Sequence, residues 1–343
     1  MSVMTRVPIV RPADLGAVPE PYGGDVLAGY DPVLGVDLRG PVTPVGPRRG
    51  DRILVGVGPV AAGWEGLVDD LDLTLIPTAA GAETVMVPDP EASLDTLGTA
   101  VAEAPHAAGV LAGLLRWSGD LPVHAALDAE SFAYSTLLGG IEFRRWLDAR
   151  GEREAPPDVD EPVRVVRVGR ELRVTLNRPE RRNAYGRLLR DALVDALDVA
   201  LLDESIERVV LTGAGPAFCA GGDLAEFGTT PDLVTAHLVR TRGGAARSLH
   251  ALRGRVEARL HGACVGAGIE LPAFAGRVVA SPDTTIRLPE IAMGLIPGAG
   301  GTVSIPRRIG RHRTLYLALS GVVLSAVEAR DWGLVDEVAD VSV

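Results

Sequence analysis

The sequence contains no lysine; apart from six histidines, its basic residues are all arginine. That removes a Schiff-base amine, a lysine general base and a phosphate-loop lysine together. A bound phosphate would have to be held by arginine, by backbone N–H groups or by a helix N-terminus. Cysteine is scarce: Cys219 and Cys264 alone cannot staple a disulfide scaffold. No apolar run reaches the ~18 to 20 residues that a membrane span needs. The opening stretch MSVMTRVPIVRPADLG lacks the apolar centre of a secretion signal. Positive charge is also in deficit, and a formal net charge of −11 argues against general nucleic-acid binding, which needs a basic face. These absences lead us to expect a cytoplasmic chain with neither membrane nor nucleic acid as partner.

What is present is enough apolar material for a sizeable core: 47% of 343 residues are hydrophobic, sufficient for about two domains at ~150 residues each. Residues 1–50 are rich in proline and glycine and read as an irregular arm. Residues 51–150 read as a small α/β domain. RILVGVG, LDLTLIPT and TVMVPDP have the apolar runs of buried strands, and PEASLDTLGTAVAEA and PHAAGVLAGLLRW read as helices. A long amphipathic helix follows, with Phe132, Leu137, Ile141, Phe143 and Trp146 as its apolar face and an interruption at Gly139-Gly140. The charged, proline-rich GEREAPPDVDEP, 151–162, reads as a linker. From 163 to 343 strands and helices alternate again: a hairpin in VRVVRVGRELRVTLNR, a helix with Leu189, Leu193 and Leu197 spaced by four, and a strand in IERVVLTGAG. In such β-turn-α repeats, sites form at the carboxyl ends of strands.

Two strand ends carry glycine-rich turns, LTGAGPAFCAGGDLAEF (211–227) and LHGACVGAGIELPAF (260–274). Small residues there let backbone N–H groups approach a ligand, and two N–H groups aimed at one point form an oxyanion hole. Two carboxylates stand alone in apolar surroundings, Glu270 in the second turn and Glu290 after Pro289. Each has two readings. One is a helix-start glutamate favoured by the dipole. The other is a buried acid whose raised pKa suits proton transfer. Cys219, in the first turn, reads as a small packed residue rather than a nucleophile, and His261 as structural. His106, His124, His237, His250 and His312 lack metal-ligand spacing.

Taken in order, LNRPERRNA, GAGPAFCAGGDL, HGACVGAGIEL, LPEIAMGLIPGAGGTVSIPRRIG and LSGVVLSAVEARDWGLVDEV resemble the motifs of the enoyl-CoA hydratase/isomerase (crotonase) superfamily over roughly residues 163–340. The resemblance implies an α/β chain whose C-terminal part is a crotonase-like ββα spiral, preceded by the small α/β domain. It implies an acyl-CoA thioester substrate with no further cofactor and no metal. It implies an oxyanion hole from the N–H groups of Gly222 and Ala267, with Glu270 activating water and Glu290 handling the α-carbon proton. Arg182, Ala184, Ala220, Asp223, Leu224, Gly266, Pro289 and Gly298 would line the substrate and CoA path, Asp223 by bracing its loop. A homo-oligomer, trimer or hexamer, is the further expectation.

The sequence departs from the family pattern in three places. Ala267 stands where glycine is commonest, which narrows the space beside the thioester. Pro272 falls within the helix that carries Glu270, so that helix is expected to start late or be distorted. Family members usually continue for several helices past WGLVDEV, whereas this chain carries about 150 residues in front of the resembling segment. Three arrangements are open. The 126–149 helix packs near the site in place of a lid, a neighbouring subunit completes the pocket, or the fold is kept without catalysis. The leading activity is 2-enoyl-CoA hydration. The alternatives are enoyl-CoA isomerisation or thioester or C–C hydrolysis within the superfamily, and, outside it, a non-catalytic acyl-CoA binding subunit.

Overall fold

The computed structural model describes residues 6–17, 31–45, 51–78, 81–155 and 157–341. The remaining positions, parts of the proline- and glycine-rich first fifty residues among them, lie outside the described residues.

The N-terminal half is built on a five-stranded parallel sheet in sequence order: β1 (Ile9–Val10), β2 (Val33–Asp37), β3 (Ile53–Val57), β4 (Leu73–Ile76) and β5 (Val85–Met86). The runs VLGVD, ILVGV and LTLI are buried almost throughout, the near-continuous apolar pattern of parallel strands covered on both faces. β2 lies inside the stretch that the sequence presents as an irregular arm. Its five residues are hidden among prolines and glycines, but flanking strands on both sides make it an interior strand. A short helix α1 (Glu65–Asp70) covers one face. α2 (Pro90–Glu103) packs against β2, β3 and β4 on the other face; α3 (Pro105–Trp117), α4 (Val123–Leu138) and α5 (Ile141–Arg150) follow it in the chain, with α4 and α5 packed chiefly on the C-terminal half. α2 starts on an Asp89 side chain that accepts the Ala92 N–H, followed by proline at the first helical position. α4 and α5 are the long amphipathic stretch, broken at Gly139-Gly140 as its sequence predicts. Phe132 and Ile141, placed on its apolar face by periodicity, are exposed instead; Phe132 stacks on the His237 ring 4.1 Å away.

The C-terminal half begins with the hairpin β6 (Val163–Val168) and β7 (Glu171–Leu176), then α6 (Arg187–Leu202), β8 (Arg208–Gly213), α7 (Leu233–Gly243), α8 (Ala246–Ala251), β9 (Val256–Leu260), β10 (Ala263–Val265), α9 (Ala267–Glu270), β11 (Arg277–Ala280) and β12 (Thr285–Arg287). It closes with α10 (Gly301–Ser304), α11 (Pro306–Ser320), β13 (Leu324–Ser325), α12 (Ala326–Trp332) and β14 (Glu337–Val338). Six strands form one sheet in the order β14-β11-β9-β8-β7-β6, parallel except for the β6–β7 hairpin, and β10-β12-β13 form a second, small sheet. Repeated strand–turn–helix units, each adding a strand to the growing sheet, give the ββα spiral that the motifs imply.

The two halves share one continuous apolar core, which runs from Val33 and Leu111 through Leu127 and Phe143 to Leu295 and Val335. Polar ties reinforce it where α4 lies on α7. Ser131 and Ser135 hydroxyls donate to the His237 and Leu233 carbonyls, and Arg240 and Arg247 reach back to Ser131 and Asp128. Leu121 and Glu83 carbonyls accept from Arg307 and His312 on α11.

The closest approach between the two glycine turns is at Gly268, where a β-carbon would stand 2.1 Å from the Cys219 carbonyl oxygen, a backbone atom that cannot step aside. Gly268→Ala should therefore destabilise the protein by at least ~1–3 kcal/mol. Gly113→Ala, inside α3 with nothing within 4 Å of the new carbon, should stabilise it by up to ~1 kcal/mol. Urea unfolding midpoints of the two variants moving in opposite directions would bear this out, and a neutral Gly268→Ala would refute the packing argument.

Candidate active site

β7 ends in a single 3-10 turn, Pro179–Arg181, after which Arg182 and Asn183 both take left-handed backbone angles, φ 51° and 54°. Such a pair costs energy for residues other than glycine unless the side chains compensate. Asn183 does: fully buried, it accepts the Arg178 N–H at 2.7 Å and donates to the Ala214 and Ala217 carbonyls at 2.9 Å each. The turn in turn fixes the first glycine loop, since Ala220 donates to the Arg182 carbonyl and Tyr185 to that of Gly221. Asp223, 2% exposed, braces the loop through an ion pair with Arg181 and by accepting the Ala225 N–H. The Gly222 N–H is left without an acceptor among the described residues and borders a cavity.

The second loop meets the first through the Val265 N–H, which donates to the Cys219 carbonyl. Gly266, φ +50°, then reverses the chain so that Ala267 opens α9 at the same cavity. Ala267 sits at the first helical position, where an N–H has no intrahelical partner. α9 does not start late. It is cut short: after four residues Pro272 leads it into a 3-10 turn over Pro272–Phe274. A proline five residues into a helix lacks the N–H that continues the ladder. The truncation leaves Glu270 at the helix end, on the inward side.

Glu270 is 2% exposed and its Oε2 accepts two backbone N–H groups, from Ala299 at 2.7 Å and Gly301 at 2.9 Å. Glu290, 8% exposed, opens a 3-10 turn after Pro289, and its Oε2 is buried without a partner. The two acids converge at Gly266: a β-carbon there would lie 2.4 Å from Glu290 Oε1 and 3.7 Å from Glu270 Oε1. A third buried acid, Glu130 of α4, stands beside them, 2% exposed. Burial raises all three: Glu290 up to about 8, Glu130 up to about 7, and Glu270 well above its ordinary value, the last raised further by the charges of Glu290 and Glu130. Close carboxylates out of water cannot all ionise together. Two N–H donors favour charge on Glu270, while the residue's own backbone N–H and the Arg287 charge favour it on Glu290, whose Oε2 has no partner.

The cavity encloses about 440 Å³ and contains both acids together with Gly222, Ala267, Asp223 and Gly298 in its wall. Leu127, Leu138, Phe227, Ala236 and Val239 make it largely apolar, and Arg187, Arg190, Arg240 and Arg247 are its cations. The other sequence candidates lie off the wall. Gly266 sits beneath the two acids, and Pro289 caps the Glu290 turn. Arg182, Ala184 and Ala220 form the hydrogen-bonded knot under the first loop, and Leu224 is 40% exposed with its carbonyl held by Arg150. Burial pushes the Cys219 thiol up to about 12, which makes it a packing residue, and His261 holds the Gly215 carbonyl. Among the described residues no group of three or more His, Cys, Asp or Glu could hold a metal ion, and no helix is long and apolar enough to cross a membrane.

Sequence reading missed Glu130, Ser131 and Tyr134. All three line the cavity from α4, with Tyr134 packed against Gly298 and the Arg240 guanidinium over its ring, 4.5 Å from the centroid. The signal was present. Leu127, Glu130, Ser131, Tyr134 and Leu138 fall on one helical stripe, and polar residues interrupting a buried stripe mark a site.

The sequence profile described as enoyl-CoA hydratase/isomerase matches residues 172–342. Over 174 residues the chain is 40% identical to 2,3-dehydroadipyl-CoA hydratase of Escherichia coli (strain K12), covering 51% of this chain and 68% of that protein. The chain belongs to the enoyl-CoA hydratase/isomerase family. It is also 36% identical over 174 residues to 1,2-epoxyphenylacetyl-CoA isomerase of the same organism, covering 49% of this chain and 66% of that relative, just under two thirds of its length. Among solved structures it is similar to a carnitinyl-CoA dehydratase from Mycobacterium avium 104, with 37% identity, TM-score 0.47, and coverage of 52% of this chain and 70% of that one. α4, with Glu130 and Tyr134, lies outside the matched segment.

The raised pKa of Glu290 has a stability consequence. In the unfolded chain its carboxyl loses the proton near 4.5, while the folded protein keeps it to about 8. The folded state therefore binds more protons over that window, so this group makes stability fall as pH rises from 4.5 to 8. Glu290→Gln should be more stable than wild type at pH 8 by on the order of a few kcal/mol, with the gap closing towards pH 4.5. Urea denaturation at the two pH values checks it. A variant no more stable at pH 8 would show that the acid is not held protonated by burial.

Proposed function

We propose that the protein hydrates a 2-enoyl-CoA thioester, with Glu270 and Glu290 as the proton-transfer pair and the Gly222 and Ala267 N–H groups as the oxyanion hole. The observation that carries this reading is the convergence of two buried carboxylates on Gly266 beside two unoccupied backbone donors, all in one mostly apolar cavity. With the thioester carbonyl on the two N–H groups, Glu270 as carboxylate takes a proton from a water while the water oxygen bonds to C3. Electron density passes through C2 to the thioester oxygen, where the N–H pair stabilises the enolate. Glu290, holding its proton, delivers it to C2 as the enolate collapses. Proton passage from Glu270 back to Glu290 across the narrow gap resets the pair. Every step moves a proton or forms the C3–O bond, so we propose that no redox or metal cofactor takes part. With Arg240 and Arg247 bonded to α4, Arg187 and Arg190 are the wall cations we assign to CoA phosphates in a chain without lysine. We place the working protein in the cytoplasm as a homo-oligomer.

A panel of 2-enoyl-CoA esters, followed by loss of the conjugated enoyl absorbance, tests the reading. Wild type should hydrate at least one ester, and Glu270→Gln and Glu290→Gln should each lose at least ~10²-fold in kcat. Release of free CoA thiol would convert the reading to thioester hydrolysis. A shifted double bond without water uptake would convert it to isomerisation, for which one acid suffices. Binding of acyl-CoA with no turnover of any ester would overturn it in favour of a binding subunit.

A further inference from the structure

Four consecutive backbone N–H groups, from Ala299 to Thr302, alternate between two carboxylates. Ala299 and Gly301 donate to Glu270 Oε2, while Gly300 donates to Glu130 Oε1 at 2.8 Å and Thr302 to Glu130 Oε2 at 2.9 Å. The Thr302 hydroxyl adds a third donor to Glu130 at 2.7 Å. Gly300 is in the left-handed region, φ +104°, and this reversal turns successive N–H groups to opposite sides of the strip. The strip therefore holds one acid from the family-matched segment and one from α4, outside it.

We propose that Glu130 is a positioning residue for this active site: it fixes the 299–302 strip from the side opposite Glu270, and so sets both the placement of Glu270 and the charge that Glu270 and Glu290 feel. The proposal rests on the assignment of Glu270 and Glu290 as the proton-transfer pair. Glu130 lines the cavity, but both its oxygens are taken by the strip. Three donors and no acceptor around it describe an ionised carboxylate, since a protonated one would aim an O–H at an N–H. Fixed there, its negative charge disfavours ionisation of both neighbours. The other ionisable groups facing the three acids are Tyr134 of α4, Arg240 of α7, Arg287 of β12, Tyr185 ahead of α6 and Cys219 of the first loop. None of them is an acid that would stand in for Glu130.

The test uses full-length protein with 13C-labelled glutamate carboxyls, assigned with Glu270→Gln and Glu290→Gln and titrated by NMR, alongside steady-state kinetics. In Glu130→Gln the titrations of Glu270 and Glu290 should move down by about one pH unit. kcat should fall ~10- to 100-fold with KM changed by less than ~3-fold, as expected when a reacting group is displaced rather than binding lost. Thr302→Val, which removes one of the three donors and no charge, should move the same titrations in the same direction by less, and serves if Glu130→Gln fails to fold. Unchanged titrations in folded variants would overturn the proposal, even with a lower kcat, because a purely structural brace would not move them. Failure of every enoyl-CoA ester to turn over would refute the hydratase reading alone, since the NMR arm reads Glu130 without catalysis.

Discussion

The site depends on one constraint: buried carboxylates need donors, and the turn between residues 299 and 302 supplies them. A carboxylate removed from water without hydrogen bonds is costly enough to take up a proton or to avoid burial. Here a run of glycine and alanine exposes bare backbone N–H groups at close range. Gly301 shows how close, since a β-carbon on it would lie 2.6 Å from Glu270 Cγ. The smallness of these residues is therefore what allows Glu270 to be buried at all. The Ser304 hydroxyl adds a bond to the Glu270 carbonyl, so the backbone of the acid is tied to the same turn as its side chain.

The same constraint divides labour between the two central acids. Both are pushed up by burial; Glu270 receives two N–H donors from the turn, whereas Glu290 has one oxygen left orphaned. Two like carboxylic acids thereby sit in unequal surroundings, an asymmetry of donors. A hydration requires that asymmetry, because it needs a base and an acid at the same pH. The arrangement costs stability at neutral pH, as strained and desolvated active-site groups commonly do.

Much of this was legible in the sequence, and what was not has a physical reason. Short motifs whose chemistry is backbone chemistry read well: the glycine turns, Asn183's neighbourhood and the lone Glu270 and Glu290 are local patterns. The helical stretches at 90–103, 105–117 and 187–202 follow from periodicity, the first helped by its Asp89 cap. β2 was obscured because five residues among prolines carry little periodic signal, and its strand state comes from neighbours on both sides. Pro272 was visible as a disturbance, but whether it delays or truncates the helix depends on where Gly266 reverses the chain. Glu130 left one local sign, a polar residue interrupting the Leu127–Leu138 stripe, but its partners lie 170 and 172 positions away, so its role could not be read from the helix alone.

That distance matters for what the N-terminal half does. α4 lays Leu127, Tyr134 and Leu138 across the cavity, and α5 sets Glu142 and Phe143 against Gly294, at the end of the turn that starts with Glu290. Glu142 is itself anchored, accepting the His106 and Ala107 N–H groups at the start of α3. Desolvation is the largest cause of the raised pKa of both Glu270 and Glu290, and α4 forms part of the wall around them. Exposed to solvent, the same two carboxylates would ionise together and lose the raised pKa values that the proposed hydration draws on. The covering helices therefore do more than enclose a substrate. By forming part of that wall, α4 adds to the burial that raises both carboxylates.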